Sequence, residues 1–189
     1  MNKNKLITLT GTSAAGKSFL MTDIVNCGLN IEPLVRATTR PARKTEVNGV
    51  DAQFFTRDEF EYLEKHNEFL TVNEYLDQKY GFLRADVEKL QHENLVTINH
   101  YKNVEKMKKL VPNTFATYIM SADIQKTFSE LGKRDVFRLE TSLREFDCME
   151  ELNWINKDKN KRIFDAIHTN TYDEKSVLKF RELVQKTIA

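Results

Sequence analysis

The sequence has little of what marks membrane, secreted and disulfide-stapled proteins. Its 189 residues include two cysteines, six glycines, three prolines and one tryptophan. Cys27 and Cys148 match neither a disulfide framework nor a metal site, so we expect two free, buried thiols in a reducing compartment. The apolar run "LITLT" near the start is too short for a signal peptide, and no segment approaches the length of a membrane span. These absences predict a cytoplasmic globular protein that has no membrane partner.

Net charge is also nearly absent. The 29 Lys and Arg residues balance 28 Asp and Glu residues, leaving a net charge of +1. No global field would attract the chain to nucleic acid, which is therefore an unexpected partner, and a bound anion must be held by a local arrangement. The length suits one domain with small inserted subdomains, either as a monomer or as a homodimer.

Short apolar segments alternate with helical patterns along most of the chain. The predicted strands of this alternation are "LITLT", "EPLVRATT", "NLVTINH", "TFATYIMSA" and "DAIHTN". Strands that alternate with helices predict an α/β fold with a parallel sheet and helices on both faces. A strand-rich patch at about 47–82 interrupts this rhythm and is predicted to be an inserted subdomain. Its helix should begin at Thr56, which forms a capping box with Glu59.

Two further segments complete the predicted order of elements. A long helical region is expected from about Asp123 to Trp154, with an interruption near Gly132, and "NKDKNKR" is expected to be a solvated turn. The last residues, "DEKSVLKFRELVQKTI", form an amphipathic pattern that predicts a terminal helix.

The segment "GTSAAGKS" (Gly11–Ser18) has the spacing of a phosphate-binding loop, G-x-x-x-x-G-K-S, between a predicted strand and a predicted helix. Glycines let the backbone curl so that successive N–H groups point at phosphate oxygens, and the helix adds its positive N-terminal end. Lys17 would reach the β- and γ-phosphates, and the Ser18 hydroxyl would ligate Mg²⁺. The predicted ATP-binding residues of the loop are Gly11, Ser13, Ala14, Ala15, Gly16, Lys17 and Ser18.

A second unusual stretch is "TTRPARKTEVNGVDAQFF" (Thr38–Phe55), which places Arg40, Arg43 and Lys44 within five residues. Alone, such a run is typical of a solvated loop. Downstream of a phosphate loop it predicts a second phosphate site, because the planar guanidinium can grip phosphate with two hydrogen bonds and stays charged.

These two motifs are followed, in order, by the segments "TRDEFEYLEKHNEFL", "KYGF" and "DAIHTN". Because of this order of motifs, the chain resembles the guanylate kinase family. The resemblance covers about residues 6–184. It implies ATP- and Mg²⁺-dependent transfer of a phosphoryl group to a nucleoside 5′-monophosphate, with GMP or dGMP as the family's usual acceptor. It also implies a P-loop kinase with a core (1–36, 84–122 and 163–189), a nucleotide-binding subdomain (about 37–83) and a helical lid region (about 123–162).

The resemblance assigns roles to individual residues. Arg40 and Arg43 match the arginines that bind the acceptor phosphate, and Tyr80 matches a further contact to that phosphate. Arg134 falls where the lid places an arginine, and Arg138 or Arg144 could match the later lid arginine. The predicted catalytic residues are Lys17, Arg40, Arg43, Arg134 and Arg144, and Asn170 in "DAIHTN" is predicted on the ATP side.

The residues that differ from the family pattern concentrate at the positions where the family binds the nucleotide base. Ala52 replaces a tyrosine, and the carboxylate that reads guanine is replaced by Thr71, which cannot accept two N–H bonds as a carboxylate does. Phe82 replaces a serine and would offer a stacking or packing face, while Arg36 would donate to a base carbonyl. The acidic residues at the end of the next strand become Ile98, Asn99 and His100. The predicted substrate-binding residues are Arg36, Arg40, Arg43, Thr71, Tyr80, Phe82 and His100.

These departures favour a base specificity other than strict guanine, for example a pyrimidine or a modified base. The alternatives are a guanine read through other residues, or a shifted alignment in which Glu74 or Asp77 supplies the carboxylate. Two other functions are open: a non-catalytic binding module, which the retained Lys17 and Ser18 disfavour, and a kinase for a ribose bisphosphate or a nucleic-acid base. For the last of these, "NKDKNKR" is a candidate basic groove.

Overall fold

The computed structural model describes residues 4–75, 77–134 and 138–189, with side chains given outside residues 130–142. The strands are β1 (Leu6–Thr10), β2 (Ile31–Pro33), β3 (Ala37–Thr38), β4 (Gln53–Phe54), β5 (Phe69–Tyr75), β6 (Gln78–Leu83), β7 (Asn94–Ile98), β8 (Thr114–Ser121) and β9 (Ala166–Asn170). The helices are α1 (Lys17–Asn26), α2 (Arg57–Lys65), α3 (Arg84–Glu88), α4 (Val104–Leu110), α5 (Ile124–Arg134), α6 (Arg138–Ile155), α7 (Asp158–Lys161) and α8 (Glu174–Ile188).

The core is a parallel sheet in the order β2-β7-β1-β8-β9, with helices on both faces, as the alternating pattern predicts. Strand β1 is buried along its whole length because both faces are covered. Ile7 and Leu9 pack with Leu20 and Ile24 of α1 and with Phe180 of α8. A second apolar cluster comes from α4, β8, α6 and the segment before β9, and it comprises Val104, Ala116, Tyr118, Ile155 and Phe164.

A second, smaller sheet lies in the predicted insertion, in the order β4-β3-β6-β5, and α2 packs against it. Helix α2 begins as the sequence predicts. The Thr56 hydroxyl accepts from the Glu59 amide at 3.2 Å, and the Glu59 carboxylate accepts from the Thr56 amide at 2.8 Å. The Phe60 ring stacks on Phe69 at 4.3 Å and holds the helix against β5.

The prediction of one strand over "EPLVRATT" is wrong, because this segment divides between the two sheets. Strand β2 ends at Pro33, and the Leu34 amide still donates to Val96 O of the central sheet at 2.8 Å. Two residues later, Arg36 O accepts from the Gln53 amide at 2.9 Å in the second sheet. Arg36 therefore lies at the junction of the two sheets.

The segment "NKDKNKR" is also more ordered than predicted. It contains the single turn α7, in which Asn160 is buried and donates its side-chain amide to Trp154 O at 2.7 Å. The predicted interruption near Gly132 falls where side chains are not described, and residues 135–137 lie outside the described chain. Cys148 is buried and Cys27 is half-buried, and both are free thiols. No helix in the described ranges is long and apolar enough to cross a membrane.

Candidate active site

The predicted phosphate loop connects β1 to α1 through two glycines that no other residue could replace without strain. Gly11 has φ +147°, and a Cβ there would lie 2.3 Å from Ile119 O. Gly16 has φ +91°, and a Cβ would lie 2.2 Å from the Asn170 side-chain nitrogen. Because both approaches and both φ values exclude a side chain, the loop keeps the tight curl that phosphate binding requires.

Lys17 reaches back over this loop instead of extending into solvent. Its Nζ donates to Gly11 O and Thr12 O, both at 2.6 Å. Lys17 begins α1, and Ser18 follows it with an exposed side chain. An ammonium group and a hydroxyl thus stand together at the positive end of a helix, where an anion is favoured.

Asn170, which was predicted to lie on the ATP side, contacts the phosphate loop through its side chain. It is 3% exposed, its Nδ2 donates to Ala15 O at 2.9 Å, and its Oδ1 accepts from the Tyr172 amide at 2.9 Å. Ala14, with φ +60°, has its carbonyl oxygen 3.3 Å from the Tyr172 hydroxyl. The C-terminal end of β9 therefore fixes the shape of the phosphate loop.

Arg40 and Arg43 converge on one carboxylate, that of Glu46. The Arg40 Nη2 lies 2.9 Å from both Glu46 oxygens, and the Arg43 amide donates to Glu46 Oε2 at 2.8 Å. Burial opposes ionisation of this carboxyl, but the Arg43 amide and the Arg40 guanidinium outweigh it and lower the pKa of Glu46. The loop is built to hold an anion, and Glu46 fills that role in this structure.

Arg36 presents a third guanidinium beside these two. Its Cζ lies 4.8 Å from the centre of the Tyr80 ring, a cation–π contact. Burial lowers the pKa of Arg36; the nearby Tyr80 partly opposes this, whereas Arg40 adds to it. The sequence-predicted contacts Arg36 and Tyr80 are thus direct neighbours.

These groups open into a single cleft of about 330 Å³ at the carboxyl ends of β1 and β7. Ligands in open α/β sheets bind at this end of the strands. The lining contains many of the predicted residues: Gly11, Ser13, Lys17, Ser18, Arg36, Arg40, Arg43, Tyr80, His100 and Arg144. A larger cavity of about 430 Å³ lies near Leu70 and Val111, but it contains none of these groups.

The cleft also contains residues that were not predicted to belong to the site. One wall is a face of α6 that carries the predicted Arg144 and, in addition, Asp147, Cys148 and Glu151. Their spacing of three, four and seven residues from Arg144 is that of one helical face, which is the signal that could have identified them. The rest of the lining adds Glu46, Asp51, Asn73 and Tyr75, together with Ile98 and Asn99, which the sequence analysis named only as departures from the family.

Burial shifts the ionisation of two groups on the α6 face. Glu151 is 7% exposed, and burial raises its pKa to about 7 against the opposing effect of Lys17. Burial also raises the pKa of the Cys148 thiol. Across the cleft, burial and then the charge of Lys102 lower the pKa of His100 to about 4.

Tyr75 closes one side of the cleft by donating its hydroxyl to the Asp147 carboxylate. Burial is the largest cause of the raised pKa of Tyr75, and Asp147 adds to it. This hydrogen bond connects β5 of the small sheet to α6.

Two predicted contacts lie elsewhere, and a third cannot be placed. Phe82 is 4% exposed and packs with Leu6 and Leu95 in an apolar cluster, so its ring offers no stacking face to the cleft. Thr71 is half-buried, pairs with Phe82 in the β5–β6 hairpin and is not in the lining. The Arg134 side chain lies outside the described residues.

A shifted alignment would bring the carboxylate of Glu74 or Asp77 to the base, but neither residue lies at the cleft. Glu74 and Asp77 both lie near Arg57, at 3.8 and 3.6 Å, and the Asp77 side chain is 86% exposed. Neither residue belongs to the lining of the cleft.

Comparisons with known proteins agree with this geometry. The family model for guanylate kinase matches residues 3–187. Guanylate kinase from Rickettsia felis is 28% identical over 97% of this chain and 94% of the relative, and one from Thermus thermophilus is 28% identical over 94% and 79%. The crystal structure of guanylate kinase from Anaplasma phagocytophilum has the same fold, with a TM-score of 0.72, 18% identity and coverage of 98% of this chain and 87% of that one. The order of the motifs and the fold agree with the family model, which matches nearly the whole length. The chain therefore belongs to the guanylate kinase family.

Proposed function

We propose that this enzyme transfers the γ-phosphoryl group of ATP to the phosphate of a ribo- or deoxyribonucleoside 5′-monophosphate. Guanylate kinases are phosphotransferases, and the chain is a nucleoside monophosphate kinase. One observation carries the finer proposal. The phosphate loop and the pair Arg40 and Arg43 line the same cleft, so a donor and an acceptor phosphate could meet between them.

The donor side would take the triphosphate of ATP. Loop N–H groups and Lys17 would hold the β- and γ-phosphates, and the family generally uses ATP with Mg²⁺. The residues present fit this ion: the exposed Ser18 hydroxyl and the buried Glu151 Oε1 are hard oxygen donors in one cleft, and Oε1 has no hydrogen-bond partner among the described residues. When bound, Mg²⁺ would neutralise phosphate charge. Ser18 is the residue proposed to hold it.

The acceptor side would exchange one anion for another. In this structure Glu46 occupies Arg40 and Arg43, and an incoming phosphate would compete for the same donors. Transfer forms a bond between an acceptor phosphate oxygen and the γ-phosphorus, and it breaks the bond between the γ-phosphorus and the β–γ bridging oxygen of ATP, which leaves on ADP. Arg144, on the α6 wall, would stabilise the charge that spreads over the transferred group.

The base is proposed to be less strictly specified than in a guanine-only enzyme. GMP and dGMP are the default acceptors, because the relatives are named guanylate kinases. Position 71 is a threonine outside the cleft lining, and Arg36 stands inside it. At least one further nucleotide should therefore be accepted comparably or better.

The test is a panel of acceptors with ATP and Mg²⁺, followed by ADP release. GMP, dGMP, dTMP, dUMP, dCMP and dAMP are compared by kcat/KM. Turnover of any of them supports the kinase. A preference above about 100-fold for a guanine nucleotide would contradict the relaxed specificity, since a lost donor–acceptor match typically costs a factor of that size.

A further inference from the structure

The near-zero net charge of the chain conceals an uneven distribution. Two short segments, 105–109 and 157–162, contain seven Lys and Arg residues and two Asp and Glu residues, a net charge of +5. The rest of the chain has 22 basic and 26 acidic residues, a net charge of −4. A local concentration of one sign produces a surface potential that the overall charge does not reveal. We refer to these two segments together as the basic face.

The two segments lie side by side, at the end of the central sheet opposite the cleft. Helix α4 ends shortly before β8 begins, and α7 ends shortly before β9, so both helices end at the amino ends of parallel strands. The cleft lies at the carboxyl ends. A groove of about 400 Å³ joins the segments, and its lining consists of Glu105, Lys108, Lys109, Lys159, Arg162 and Ile163. The basic face is therefore one surface, separate from the nucleotide cleft.

Most cations of the basic face have no carboxylate partner in the described part of the chain. Lys108 pairs with Asp165 at 2.8 Å, and Lys161 pairs with Asp158 at 3.4 Å. No described hydrogen bond or ion pair joins a carboxylate to the side chains of the other five, which are Lys106, Lys109, Lys157, Lys159 and Arg162. The dipole of α4 favours cations in its last turn, which accounts for Lys108 and Lys109 only. The clustering of the remaining like charges points to an anion that comes from outside the chain.

Buried contacts hold the basic face in one shape. The Lys108 ammonium group donates to Ile163 O at 2.9 Å, which connects α4 to the residues that follow α7. Phe164 is 7% exposed, and its ring packs edge-on against Tyr118 and Trp154 at centroid distances of 5.2 and 6.2 Å. Because these contacts fix the backbone before a partner arrives, binding would require little ordering of the two segments.

The composition of the basic face favours a phosphodiester backbone over an acidic protein. Six of its seven cations are lysines, a residue type that is depleted at protein interfaces, and the two segments contain no aromatic residue. Without an aromatic ring there is also no platform on which the bases of a single strand could stack. Lysine ammonium groups contact phosphates and carry no information on sequence. A duplex, which presents its phosphates outward, fits this chemistry.

We propose that the basic face binds the phosphodiester backbone of a nucleic-acid duplex without recognising its sequence. This interaction goes beyond the proposed function, because it uses the end of the sheet opposite the cleft and leaves the nucleotide site open. DNA and RNA duplexes share the backbone chemistry, and binding measurements with both distinguish the two sources.

Fluorescence anisotropy with a labelled DNA duplex of about 20 base pairs measures the interaction. An RNA duplex and a single DNA strand of the same length complete the comparison. At about 50 mM salt, the Kd for a duplex should be no weaker than about 100 μM, the order expected of backbone contacts alone. The logarithm of the binding constant should fall with the logarithm of the salt concentration with a slope of about −3 to −5, as for a few phosphate contacts.

The triple variant with Lys109→Gln, Lys159→Gln and Arg162→Gln removes three cations from the groove. Its Kd for the duplex should rise by about 30-fold or more at 50 mM salt, and the magnitude of the salt slope should fall by about 2 to 3. Its kinase activity with ATP and GMP should be that of the wild type, because none of the three residues lines the cleft.

A second triple variant, with Lys65→Gln, Lys175→Gln and Lys186→Gln, is the matched control. It changes the net charge by the same amount at exposed positions of α2 and α8. Its affinity for the duplex should stay within about threefold of the wild type. Equal weakening by the two triple variants would attribute binding to overall charge and overturn the proposal. A wild-type protein that bound no duplex at 50 mM salt would overturn it too.

Competition experiments test the place and the partner. Saturating ATP should leave duplex binding unchanged, since displacement would place the duplex on the phosphate-binding groups of the cleft and contradict the proposal. Polyglutamate of equal total charge should compete more weakly than unlabelled duplex; equal competition would indicate an acidic protein segment instead. Tighter binding of the single strand than of either duplex would also contradict the proposal. Binding of the DNA duplex, the RNA duplex or both supports it and identifies the source.

Discussion

Lys17 is the residue on which phosphoryl transfer should depend most. Its ammonium group is held against two loop carbonyls at 2.6 Å and stands at the start of α1. A positive group that is positioned before the substrate arrives needs no reorganisation when charge develops on the transferred phosphoryl group.

Lys17→Ala should lower kcat by at least about 100-fold, equivalent to roughly 3 kcal/mol of barrier. The fold should be retained, because the loop is shaped by Gly11, Gly16 and Asn170. Steady-state kinetics with ATP and GMP and a thermal melt measure the two effects. Lys106→Ala, at an exposed position on α4, is the control. Retention of a third of the wild-type kcat would contradict the role of this loop in catalysis.

At the scale of residues, the sequence predicts contacts that are local and misses those that depend on register. The loop from Gly11 to Ser18 is one contiguous motif, so its spacing is sufficient to locate it. Thr71 and Phe82 were assigned from the resemblance to the family, and both lie outside the lining of the cleft. The pairing of β5 with β6 is irregular between Phe69 and Thr71, and such an irregularity breaks the alternation that decides which side chains share a face.

Among the elements, the loop between β3 and β4 is an anion site that forms before any substrate binds. Glu46 holds Arg40 and Arg43 in place, and the Arg40 guanidinium also lies 5.6 Å from the Phe54 ring. Glu46 offsets the electrostatic repulsion between these positive groups, and an acceptor phosphate would offset it in the same way.

Arg40→Ala and Arg43→Ala should each raise the acceptor KM and lower kcat, because the same grip positions the phosphate in the ground and transition states. A decrease of about 10- to 100-fold in kcat/KM is expected for each. Lys44→Ala is the matched control, as this neighbouring side chain is exposed and outside the cleft lining. A change confined to the KM for ATP would place these arginines on the donor side.

The hydrogen bond from Tyr75 to Asp147 is a direct link between β5 and α6 across the cleft. Tyr75→Phe should lower the free energy of unfolding by about 1 to 2 kcal/mol, since a hydrogen bond to a charged group is lost. The effect should not add to that of Asp147→Asn, and urea denaturation of both single variants and the double variant gives the coupling. Tyr62→Phe, at an exposed tyrosine, is the control. Strict additivity would mean that the two elements are held together by other contacts.

Element boundaries show where sequence patterns stop being informative. "EPLVRATT" has the composition of one strand, but β2 and β3 belong to different sheets. Composition reports that a segment is extended and half-buried; it does not report which partner strand completes the hydrogen bonds. The capping box at Thr56 was predictable because all its partners lie within four residues.

On the scale of the whole molecule, the cleft exists because three parts meet: the carboxyl ends of the central strands, the small sheet and α6. Lys17 from the first part and Glu151 from the third share that cleft, although they lie 134 positions apart in the sequence. No local pattern could have brought these two groups together. Burial of Glu151 in that cleft makes the stability of the fold depend on the ionisation of one acid.

Glu151 should make the nucleotide-free enzyme less stable as the pH rises. Burial raises its folded-state pKa to about 7, above the ordinary value of 4.5. Below pH 4.5 both states hold the proton. Between pH 4.5 and 7 the unfolded chain releases it first, so the folded state loses roughly 3 kcal/mol of stability in total. Glu151→Gln removes this titration and should stabilise the protein at pH 8, with little effect at pH 4.5.

Thermal melts of the two proteins at both pH values measure this difference. His100, whose pKa is lowered to about 4, titrates in the opposite sense between pH 4 and 6.5, but it is present in both proteins and cancels in the comparison. Lys17 and Asp147 face the same carboxyl and are likewise unchanged. Glu145→Gln makes the same substitution at an exposed position of α6 and should show no such pH dependence. If Glu151→Gln changed the melting temperature equally at pH 4.5 and 8, folding would not shift the pKa of this carboxyl, and the expected effect of burial would be contradicted.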